Sequence, residues 1–111
     1  MSKVANKYRR LLEQRKAYHP ELPIDYDGDP VIQGMVKALS IDVDDTIEFL
    51  GECTGDEFGW LSEIFAELAE ATKSQRLVDA LYETARRFPE ECERLSLIDF
   101  IDEARDIVRD S

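Results

Sequence analysis

A chain of 111 residues with a formal net charge of −11, 43% hydrophobic and 35% charged, can bury one core but not two. That argues against a multi-domain enzyme, and with only 5 Gly and 4 Pro it also argues against a disordered, low-complexity chain. No run reaches the ~18 uninterrupted apolar residues of a membrane span, and MSKVANKYRR lacks the apolar core of a signal peptide, so a cytoplasmic protein without membrane contact is expected.

The first predicted element is a helix from Lys3 to Tyr18, with Val4, Tyr8, Leu11, Leu12 and Tyr18 along one stripe. It carries Lys3, Lys7, Arg9, Arg10, Arg15 and Lys16 against the single acid Glu13. Residues 1–18 thus have a net charge of +5, and the other 93 residues a net charge of −16. A body of that sign repels phosphates and attracts basic protein surfaces, with fast, salt-sensitive association. The basic arm either packs onto the body and neutralises part of it, or binds something else. His19-Pro20 ends this helix, because the residue before a proline is pushed out of the α region. Residues 19–29 are expected to form a loop.

Asp29-Pro30 is a start signal, with aspartate as N-cap and proline at the first helical position, and Val31, Ile32, Met35, Val36 and Leu39 continue the apolar pattern. A third helix follows, with Asp42, Asp44 or Asp45 in its first turn, Ile47, Phe49 and Leu50 as its contacts, and Gly51 as its stop. Thr54 and Glu57 have capping-box spacing, which starts the next helix at Gly55. As one helix through Thr72, it collects Phe58, Leu61, Ile64, Phe65, Leu68 and Ala69 within about 140° of arc.

The back of that helix raises the functional question. Asp56, Glu63, Glu67 and Glu70 project within roughly 60° of one another, with Trp60, the only tryptophan, between this ridge and the apolar stripe. No lysine or arginine interleaves them, and a Glu63/Glu67 pair at i,i+4 costs a few tenths of a kcal/mol. The ridge is either a solvated face or a partner surface. Trp60 either anchors a partner or fills a gap against a neighbouring helix.

Thr72 to Ser74 supplies another capping turn into a helix whose inner face is Leu77, Val78, Leu81, Tyr82, Ala85 and Phe88. Its outer face alternates in sign, with Glu83 and Arg87 as a favourable i,i+4 pair. Pro89 stops it and begins a single turn through Arg94, after which Ser96 is expected to cap the last helix. There Leu97, Phe100, Ile101, Ala104, Ile107 and Val108 form the core stripe. Opposite them Asp99, Asp102, Glu103, Asp106 and Asp110 cover about 100° of arc, a second acidic ridge.

The expected fold is therefore all-α: one small domain over residues 1–111, of about five to six helices, as a helical bundle or a short helical-hairpin stack. The basic helix occupies 1–18, the loop 19–29 and the acidic body 30–111. No catalytic, cofactor-binding or metal-ligating residue is identified. Asp25 to Asp29 imitates the start of a calcium loop, but Pro30 stands where glycine is needed and Val36 where a bidentate glutamate is needed. The lone histidine, His19, removes the usual general base, no phosphate loop is present, and Gly51, Gly55 and Gly59 read as helix stops and starts. Cys53 and Cys92 form no CxxC pair and read as reduced structural thiols.

The segments GDEFGWLSEIFAELAEATKSQRLVDALYETARRFPEE and LSLIDFIDEARDIV, within Ile41 to Val108, resemble small acidic all-helical bacterial immunity proteins of contact-dependent-inhibition toxin/immunity systems. The resemblance implies a non-catalytic protein that neutralises a basic toxin domain by charge complementarity. The partner-binding residues expected on the two ridges are Asp56, Trp60, Glu63, Glu67, Glu70, Asp99, Asp102, Glu103 and Asp106. Two alternatives stand beside this: a structural or homo-oligomeric module self-associating through Trp60 and the Tyr8/Tyr18 side of the first helix, and a nucleic-acid-associated regulator acting through the basic helix, which the acidic body opposes.

Overall fold

Four of the helices start where a short polar side chain meets amides that have no partner within the helix. The computed structural model describes residues 3–17 and 29–110, so Tyr18 and the expected loop over 19–28 lie outside the described residues. Within them the chain forms α1 (Val4–Lys16), α2 (Pro30–Ser40), α3 (Val43–Glu52), α4 (Gly55–Leu61), a 3-10 turn (Ser62–Ile64), α5 (Phe65–Thr72), α6 (Gln75–Arg87), α7 (Pro89–Leu95) and α8 (Leu97–Arg109), with no strand among the described residues.

The side chain of Asp29 accepts from the amides of Val31 and Ile32, that of Asp42 from Asp45, and that of Ser74 from Leu77. Both hydrogen bonds of the Thr54/Glu57 capping box are formed. The start of α1 is capped from another helix. Asp45 of α3 accepts from the amide of Lys3 at 2.9 Å and from that of Val4 at 2.7 Å.

The cap expected at Ser96 is absent. Its side chain makes no capping bond, and its backbone sits at φ 55°, ψ 42°, a left-handed residue joining the end of α7 to the start of α8. That conformation costs a non-glycine residue about 1–2 kcal/mol, so packing on both sides must hold it. The single turn expected after Pro89 extends to Leu95. Arg87 also departs from expectation: Glu83 pairs with Arg86, while Arg87 donates to the carbonyls of Gly51 and Cys53. A guanidinium there satisfies acceptors left open at the end of α3 and suits the negative pole of that helix.

The core is aromatic at its centre. Tyr8, Phe49, Phe58 and Phe65 are fully buried, with Tyr8 and Phe49 5.3 Å apart and Phe58 and Phe65 5.4 Å apart, both tilted pairs. α8 packs on α5 and α6, α2 on α1 and α5, α3 on α6 and α1, and α4 on α7. Extents of 32, 31 and 29 Å describe a rounded bundle rather than an elongated stack.

Gly59 is not a helix stop or start. It sits inside α4, where a Cβ would lie 3.0 Å from the Leu95 side chain, so it lets α7 approach α4 closely.

The expected single helix from Gly55 to Thr72 is broken. The Ser62 hydroxyl donates to the Gly59 carbonyl at 2.6 Å, the chain tightens into the 3-10 turn, and Ile64 leaves helical geometry at φ −121°, ψ 13°. Side chains after the turn no longer follow the 100° spacing set before it. The expected row of Asp56, Glu63, Glu67 and Glu70 is therefore not one ridge.

Candidate partner-binding site

α1 buries Ala5, Tyr8 and Leu12 in the core, which brings its cations against α4. Arg9 Nε lies 2.6 Å from a Glu57 carboxylate oxygen. Arg15 grips Glu63 with two hydrogen bonds, at 3.0 and 2.6 Å, and Lys16 Nζ lies 3.0 Å from Asp56. The Trp60 ring is covered by the same two residues, with Arg15 Cζ 5.1 Å and Lys16 Nζ 5.9 Å from its centroid. The basic arm is thus folded onto the acidic body. Asp56 and Glu63, expected to stand unneutralised in water, are met by the chain's own cations, and Trp60 is half-buried beneath them. Tyr8 is fully buried, so it presents nothing to a second copy.

Glu57 shows how this contact is held. Burial pushes its carboxyl up, but the Arg9 guanidinium and hydrogen bonds with Thr54 outweigh that and hold it below the ordinary carboxylate value. A folded-state value below the unfolded one gives stability that is present above the unfolded value and lost as pH falls through the folded one. Urea midpoints are therefore expected to fall as pH is lowered below about 4.5, and Glu57→Gln is expected to flatten that decline; an unaltered acid limb in the variant would contradict it.

The thiols are quiet. Burial pushes Cys53 up to about 11, its S–H faces the Leu50 carbonyl, and Cys92 faces that of Ala85. Both are free.

The second acidic ridge has a different fate. Arg105 and Arg109 stand at its margin and reach Asp102, Asp106 and Asp110 at 3.2–3.7 Å, all as exposed, short-range pairs. Such pairs contribute little, about 0–1 kcal/mol. The Tyr82 hydroxyl donates to Asp102 from α6. Asp99 and Glu103 are exposed and have no ion pair among the described residues. With Glu70 and Lys73 these acids line an open valley of about 610 Å³ beside α5. Glu70 pairs with Lys73 at 3.6 Å. Glu67 is set apart, half-buried beside Gln33 and Val36 of α2.

At Phe100, the residue after Asp99, α8 also reaches a pocket of about 520 Å³, lined by Gly59, Trp60, Leu95 and Phe100 together with Asp56, Ser62, Glu63 and Arg94. Phe100, expected in the core, is 42% exposed. It sits toward the margin of the apolar arc of α8, and no helix among the described residues covers it fully. The structure thus brings Glu70, Asp99, Asp102, Glu103 and Asp106 together on one face and places Trp60 in the adjoining pocket.

No helix among the described residues is long and apolar enough to cross a membrane, and no group of three or more His, Cys, Asp or Glu residues there is arranged to hold a metal ion. No protein-family model matches the chain, and comparison with curated proteins and with solved structures gave no significant match. The described residues form an all-α helical domain in which α8 and the end of α5 line a valley with six carboxylates.

Proposed function

We propose that the chain is a non-catalytic protein-binding module that takes a basic protein partner on the acidic face of α8. The observation that carries this reading is the contrast between two sets of carboxylates. Glu57 of α4 and Glu63 of the 3-10 turn are largely buried in pairs with Arg9 and Arg15 of α1, whereas Asp99 and Glu103 are exposed and without an ion pair among the described residues. Glu70, Asp102 and Asp106 lie around them in weak exposed pairs that a partner's lysines or arginines can replace. Neutralising a basic toxin domain, as immunity proteins do, is the biological role in which such a face would serve. Arg9, Arg15 and Lys16 are held by carboxylates, which weighs against phosphate contacts through α1.

Poly-L-lysine serves as a first probe. The double variant Asp99→Lys/Glu103→Lys is expected to lose about tenfold in affinity at low salt and to show a flatter salt dependence. A control of equal charge change on distant exposed acids, Glu52→Lys/Asp79→Lys, is expected to lose less than about twofold. Equal losses in the two would assign the attraction to net charge alone and remove the α8 face from the reading.

A further inference from the structure

The pocket and the acidic valley stand side by side on α8: Phe100 lines the first, while the residue before it, Asp99, and Glu103 one turn on line the second. Along α8, Asp99, Glu103, Asp106 and Asp110 recur at i, i+4, i+7 and i+11, which places their carboxylates in one row. At 1.5 Å per residue the row meets a partner at about 6, 10.5 and 16.5 Å from its first member. The whole valley sets six carboxylates against Lys73 and the two flanking arginines.

Resting on the function proposed above, we propose that the partner docks on this face through a cationic amphipathic α-helix laid along α8. One large apolar side chain fills the pocket between Trp60, Leu95 and Phe100, and its lysines or arginines, at helical spacing from that anchor, meet Glu103, Asp106 and Asp110. Charge complementarity fixes the sign of the occupant, and the spacing fixes its form. A helix repeats cations on one face at the same rise as the row of acids. An extended strand advances about 3.3 Å per residue and turns alternate side chains away. Its second residue along would meet the acid near 6 Å, but its third, near 10 Å, would face solvent. The pocket supplies the anchoring contact that a row of carboxylates lacks. Arg94 on its rim is turned to Glu91, and Asp56 and Glu63 there are paired with Lys16 and Arg15, so the pocket takes an apolar group while the valley supplies the charge.

The test uses two synthetic peptides of the same composition without tryptophan. One carries a single Phe with Lys at i+4, i+7 and i+11; the other has the same Phe with Lys at alternate positions. Trp60, the only tryptophan, reports occupation of the pocket by its emission. The helical-phase peptide is expected to bind at least about tenfold more tightly than its isomer, a gap of about 1.4 kcal/mol, and to shift the emission. Phe100→Asp, at a half-open position where the fold is checked by circular dichroism, is expected to abolish that preference. Two peptides that bind equally, still weakened by Glu103→Lys and leaving Trp60 emission unchanged, would overturn the helical geometry while the acidic-face reading stood. Failure of both to bind at low salt would overturn both.

Discussion

Tyr8→Ala is expected to destabilise the protein by about 3–5 kcal/mol, the range for removing a buried aromatic ring. Tyr8 is fully buried, packs on Phe49 at 5.3 Å, and donates its hydroxyl to the Glu57 carbonyl at a long 3.4 Å. Burial pushes that hydroxyl far above the usual tyrosine value, so the ring stays neutral. The loss would be a large part of the 5–15 kcal/mol that holds a domain of this size, and the variant should be partly unfolded at room temperature or melt well below the parent. Tyr8→Phe is expected to cost under about 1 kcal/mol, because a hydrogen bond of that length is weak. Urea unfolding of the pair separates ring from hydroxyl. A Tyr8→Ala loss below about 0.5 kcal/mol, the range of surface substitutions, would mean that α1 is an appendage rather than part of the core.

Charge reversal at Arg15 is the second large effect expected. Arg15 and Glu63 are paired through two hydrogen bonds with side chains only 12% and 20% exposed, so the contact is far less screened than the pairs on α8. Arg15→Glu sets two carboxylates against each other and removes the nearer of two cations from the Trp60 ring, for an expected loss of about 2–4 kcal/mol. Glu63→Arg is expected to do similar damage. The double exchange Arg15→Glu/Glu63→Arg should recover more than half of either loss. Additive losses in this cycle would show that the two side chains do not depend on each other.

The features legible in the sequence were local ones. Asp29-Pro30, Thr54 with Glu57, and Ser74 each state a helix start within four residues, and each forms as read. The apolar stripes gave the fold class for the same reason, since period 3.6 is a property of single segments. What was hidden depended on neighbours. The kink at Ser62–Ile64 comes from a hydroxyl that can point outward or back to Gly59, and only packing decides. Ser96 and Lys73 take left-handed geometry that their residue types do not announce. Phe100 lies at the edge of its stripe, where burial turns on whether another helix is present.

The closure of α1 over Glu57 and Glu63 is a tertiary contact, although the sequence holds a trace of it. Arg9 and Arg15 are six residues apart, as are Glu57 and Glu63 that they meet, so two segments of opposite charge carry the same spacing. Only the meeting of α1 and α4 in space turns that coincidence into paired charges.

The claim on which the account depends is that Glu57 and Glu63 are engaged by α1 while Asp99 and Glu103 of α8 are open to a basic partner. Stopped-flow association of poly-L-lysine with Glu63→Gln and Glu103→Gln, compared at low ionic strength, tests it most directly. The account predicts that Glu103→Gln slows association by about twofold or more, whereas Glu63→Gln leaves the rate within error and lowers the urea midpoint instead. The opposite pattern, with Glu63 governing the rate and Glu103 silent, would contradict it.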